Sequence, residues 1–159
     1  MIKDFAHLQK KIDETISIIG SDGLIEFLEI VGANQNHEER IVDFILYAVS
    51  IYYEIPLEEL IKDGNKKDKE PRMIISYLIK EHLNYSVRKI GSICKRKSPN
   101  QIHTYLKDMQ YYLEKPKLNT SIVANYRIIE NQLRQFKNFL ENKNIIHDGK
   151  VNQEKTSAP

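Results

Sequence analysis

A chain with a single cysteine, Cys94, can close no disulfide within itself, and that usage fits a reducing compartment. Glycine and proline are sparse, 6 and 5 in 159 residues, so the closely spaced turn signals of an all-β chain are missing. No apolar run is long enough to span a bilayer, because the greasiest stretch, 41–53, is short and holds Asp43. The opening MIKDFAHLQKKIDETISIIG carries charges throughout, where a secretory leader needs an unbroken apolar stretch. These absences predict a soluble, cytoplasmic protein without a membrane partner. The histidines at 7, 37, 82, 103 and 147 lack the spacing of zinc ligands. The carboxylate pairs Glu38-Glu39 and Glu58-Glu59 point to different faces of their helices. The expectation is no metal, no cofactor and no catalysis.

The residues present suit an all-α fold. The chain is 41% hydrophobic and 29% charged, enough for a packed core. Apolar positions recur at helical spacing over 3–19 (Phe5, Leu8, Ile12, Ile16, Ile19), and Gly20-Ser21-Asp22-Gly23 is expected to separate this helix from a short one over 24–31. The next helices are expected over 37–53, 57–61, 71–84, 86–94 and 98–113, with a last one from Asn119 or Thr120 to about Asn142. Pro56 and Pro71 each open a helix, and Pro116 ends one. The loop 63–70 is polar. The tail over 148–159 has no apolar pattern and is expected to be disordered. The expected organisation is an acidic helical hairpin over 1–36, a helix-turn-helix domain over 37–114, a C-terminal helix over 115–147, and the tail.

The net charge of +2 conceals a segregation. Residues 1–61 carry 4 Lys and Arg against 12 Asp and Glu, residues 62–117 carry 14 against 6, and residues 118–159 carry 6 against 4. A positive middle third either attracts the acidic third or offers a surface to an anionic partner.

The stretch ICKRKSPNQIH, 93–103, concentrates this charge. Lys95, Arg96 and Lys97 stand before a helix start, Ser98-Pro99-Asn100-Gln101. Ser98 and Gln101 have capping-box spacing, and Pro99 occupies the first helical position. Within the helix, Ile102, Tyr105, Leu106, Met109 and Leu113 form one stripe. That leaves Asn100, His103, Thr104 and Lys107 on the opposite face. Two short helices joined by a short connection match a helix-turn-helix, whose second helix enters the major groove of duplex DNA. In that arrangement the three cations and Arg88 neutralise phosphates, while Ser98, Asn100, Gln101, His103, Thr104 and Lys107 face the groove. The plainer alternative is a solvated, lysine-rich turn.

From Ile41 to Leu113 the order of elements resembles the C-terminal DNA-binding domain of the bacterial chromosomal replication initiator DnaA. The residues carrying the resemblance are Ile55-Pro56-Leu57-Glu58-Glu59-Leu60, then Arg72-Met73-Ile74-Ile75-Ser76-Tyr77-Leu78, then Ile90-Gly91 and the helix after Ser98. The resemblance implies a Trp-repressor-like helix-turn-helix fold, double-stranded DNA as partner, and a role in replication or transcription control. It implies that Arg72 reaches the minor groove and that Lys97 is the basic residue before the recognition helix. Ser98-Pro99-Asn100-Gln101 replaces the family's Asp-His-Thr-Thr signature, and Lys95-Arg96 replaces a Gly-Gly turn. No G-x-x-x-x-G-K-[ST] loop exists, so the initiator's ATPase has no counterpart.

The last helix places Ile122, Tyr126, Ile129, Leu133, Phe136 and Leu140 on a heptad seam. The seam packs within the chain, on the N-terminal helix, or pairs two copies as a homodimer. A protein-interaction adaptor is the second functional expectation, with the acidic third and the heptad helix doing the binding.

Overall fold

The computed structural model describes residues 2–32, 36–62, 68–95 and 98–154, and no strand occurs among them. Helix α1 (Ile2–Gly32) is followed by α2 (His37–Tyr53), α3 (Leu57–Leu60), α4 (Lys69–Leu83), α5 (Val87–Ile93) and α6 (Pro99–Glu114). A 3-10 turn (Pro116–Leu118) then leads into α7 (Thr120–Glu154). The all-α class is as expected. Among the described residues no helix is long and apolar enough to cross a membrane.

Local chemistry explains the ends. The Asn36 side chain accepts the Glu38 N–H at the start of α2, where Glu38 and Glu39 meet the positive end of the helix dipole. Ser86 accepts the Lys89 N–H and caps α5. Helix α1 breaks at one residue, not four. Gly20 takes φ 77°, and the second helical segment resumes at once. That left-handed backbone costs glycine little, so Ser21, Asp22 and Gly23 are free to join the helix. The start of α4 is also earlier than expected, at Lys69, with Pro71 inside its first turn.

The core is one cluster drawn from α2 through α7. Helix α2 lies against α1, α4 and α7, and α4 lies against α6. Ile45, Val49, Ile74, Leu78, Ile102, Met109 and Ile129 are fully buried at these contacts. A polar link ties three helices together. Glu70 accepts from the Tyr53 hydroxyl at 2.6 Å and from the Asn125 amide at 2.8 Å, and Asn125 accepts from Tyr52 at 2.7 Å. Burial and the Glu70 carboxylate push the Tyr53 hydroxyl well above its ordinary range.

All six seam residues of α7 are buried inside this chain. They pack chiefly on α2, with Phe136 stacked on Phe44 at 4.3 Å, where the sequence suggested the N-terminal helix as the main partner. Within this chain the seam is filled by its own helices. The helix also continues through Asp148 to Glu154, which corrects the expected disordered tail. Once a helix is running, each added residue gains a hydrogen bond without a new nucleus, and no proline intervenes before Pro159. Residues 155–159 of that tail lie outside the described residues.

His82, at the end of α4, lines a cavity of about 260 Å³ with Arg134, Lys137, Asn138 and Glu141 of α7. Its side chain is 9% exposed, and among the described residues Nε2 has no hydrogen-bond partner, with Glu130 Oε1 at 3.7 Å. Burial holds the imidazole below its usual range, aided by Lys137 and Arg134 and opposed by Glu130 and Glu81. Unfolded, the group takes up its proton near pH 6.5; folded, it does so only at lower pH. Between those values the unfolded chain holds more protons, so stability falls as the pH drops below about 6.5. Melting curves from pH 7.5 to 5 should show His82→Gln losing less stability across this window than the wild type. Parallel curves would remove His82 as the source.

Candidate nucleic-acid interface

Helices α5 and α6 are consecutive, packed on each other, and α6 rests on α4. Ile90 and Gly91 of α5 are buried at this contact, and so are Ile102, Tyr105 and Met109 of α6. The apolar stripe expected from the sequence is the one that faces the core. Burying it turns Asn100, Gln101, His103, Thr104 and Lys107 to solvent. Arg88, on the outer side of α5, is exposed too.

The turn between the helices begins at Lys95, which is exposed and has φ 49°. Its N–H donates to the Ser92 carbonyl at 3.1 Å, closing α5. The left-handed region favours glycine, and a lysine there is held at a cost of about 1 kcal/mol. Arg96 and Lys97, the other two cations of the expected phosphate-binding run, lie outside the described residues.

Two sequence expectations are corrected here. Ser98 does not form the capping box, because its side chain makes no cap hydrogen bond. The Gln101 N–H instead donates to the Ser98 carbonyl at 3.3 Å, and the Gln101 amide donates to the Tyr105 hydroxyl at 2.9 Å. A partner one turn further on is a better match than one across the helix start. The N-terminal turn of α6 thus has no side-chain cap on its positive end. Thr104 is also engaged locally, donating from its hydroxyl to the Asn100 carbonyl at 3.0 Å.

The second correction concerns Arg72, which the resemblance sends to the minor groove. Its side chain is 3% exposed. Nε donates to the Leu60 carbonyl at 2.8 Å and Nη2 to the Lys62 carbonyl at 3.2 Å, with Asp68 at 3.8 Å. A guanidinium fixed in this fork fastens the end of α3 to α4 and reaches no surface groove. No pattern in the sequence marks those carbonyls as its target.

Electrostatics leave the open face of α6 positive. Asp108 is matched by Lys69 at 2.9 Å, and that hydrogen bond holds the Lys69 ammonium above its usual range. Lys89 lies over the Tyr85 ring at 3.3 Å, which keeps a further cation on α5. Cys94 is buried against Ser76 at 3.9 Å, away from this face. Among the described residues no group of three or more His, Cys, Asp and Glu could hold a metal ion. Against protein-family models, curated proteins and solved structures, nothing matches this chain.

Proposed function

We propose that this chain binds double-stranded DNA without catalysing a reaction, placing α6 in the major groove on a domain related to that of DnaA, and that it serves replication or transcription control. The observation that carries the reading is the outer face of α6. Its exposed polar side chains, Asn100, Gln101, His103, Thr104 and Lys107, are all of types that can hydrogen-bond to a base edge, and the nearby carboxylate of Asp108 is paired with Lys69. Arg88, exposed on α5, and Lys95, exposed in the turn before α6, supply cations for the phosphates. The uncapped N-terminus of α6 adds partial positive charge.

Fluorescence anisotropy with a random-sequence duplex tests the reading. Affinity should fall steeply with salt. Replacing Lys95, Arg96 and Lys97 together by alanine should flatten the slope of log affinity against log salt by about three units, about one per phosphate released. A wild-type chain that leaves duplex DNA unbound at low salt would overturn the proposal. The adaptor reading then takes its place, supported by Ile25 and Leu28 on the acidic helix α1, which are 54% and 59% exposed.

A further inference from the structure

We infer that base selection rests on Asn100 and Lys107, and that the preferred site pairs an adenine with a guanine about three base pairs away. This rests on the reading of α6 as a major-groove helix. Five residues on that helix have side chains suited to base edges, and the structure divides them. The Gln101 amide donates one hydrogen to the Tyr105 hydroxyl at 2.9 Å, which ties the side chain back along its own helix. The Thr104 hydroxyl gives its one hydrogen to the Asn100 carbonyl, so it has none to donate to a base and can only accept.

Asn100, His103 and Lys107 remain. They recur at intervals of three and four along one exposed face, and none has a side-chain partner among the described residues. A carboxamide with both ends open can pair bidentately with adenine at N6 and N7. A lysine suits the two acceptors of guanine, O6 and N7. Seven residues of helix rise about 10.5 Å, or about three steps of 3.4 Å along the duplex. His103 falls between the two on the same face.

Selection from a randomised duplex pool, read by sequencing, tests this with wild type, Asn100→Ala, Lys107→Ala and Gln101→Ala. All three positions are exposed, and circular dichroism melts of each variant check that it is folded. The wild type should enrich an adenine and a guanine at the stated separation. Asn100→Ala should erase the adenine and weaken binding to the selected site about 5- to 150-fold. Lys107→Ala should erase the guanine, and Gln101→Ala should leave the motif intact. A motif that survives Asn100→Ala, or disappears with Gln101→Ala, overturns the inference. So does salt-dependent binding that enriches no motif, an outcome that leaves the DNA-binding proposal standing. Absence of any duplex binding overturns both.

Discussion

Arg72→Met should lower stability by about 3 kcal/mol, which for a chain of this size lowers Tm by about 6–12 °C. The wild-type guanidinium donates to the Leu60 and Lys62 carbonyls and stands 3.8 Å from Asp68, all with 3% of its side chain exposed. Methionine fills similar volume but donates nothing. Two carbonyls lose a charged donor, and the Asp68 carboxylate, itself 14% exposed, loses the guanidinium 3.8 Å away. Arg72→Lys should recover little, since one ammonium cannot reproduce a planar fork reaching two carbonyls. Thermal melts separate this from the role implied by the DnaA resemblance. A minor-groove arginine would show wild-type Tm and weakened DNA binding. An unchanged Tm in Arg72→Met would refute the anchoring role.

The second large effect is expected at Leu133, which is fully buried on the α7 seam. Leu133→Ala removes most of the side chain from a packed site and should cost about 2–5 kcal/mol, depending on how far its neighbours collapse into the space. Because the seam is filled by α2 and α4 of the same chain, that loss should be the same at low and high protein concentration. If the seam instead joined two copies, Tm would rise with concentration in the wild type, and Leu133→Ala would shift the sedimenting species from dimer to monomer. Melts across a hundredfold range of concentration, paired with sedimentation, decide between the two.

Periodicity revealed most of the architecture. The stripe Ile102, Tyr105 and Met109 assigned the inner face of α6, and with it the outer face on which the functional reading stands. The seam of α7 was equally readable, since heptad spacing depends on the helix alone. Its partner was not. Apolar spacing says which face is buried but carries no address, so α2 in place of the N-terminal helix came only with the tertiary structure. The same limit applies to Arg72 and Gln101. Arginine in a basic segment reads as a surface cation, and nothing local reveals that two carbonyls at the end of a short helix will draw it inward. Ser98 and Gln101 had the spacing of a reciprocal cap, but Tyr105, one turn along, competes for the same amide. Sequence rules rank local options one at a time, and the folded chain settles them together.

The stacking of Phe44 on Phe136 and the bond from Tyr52 to Asn125 join segments far apart in the chain. Those contacts cannot form until α7 exists. During synthesis, α2 and α4 emerge early with apolar flanks that only α7 will cover, and they wait through the whole length of α5 and α6. Local helices form quickly, but closing this long circuit raises the contact order and sets completion of the fold at its end. The helix pair proposed to meet DNA thus sits inside the loop that this final event closes, so a chain truncated before α7 should present that pair on an unfinished core.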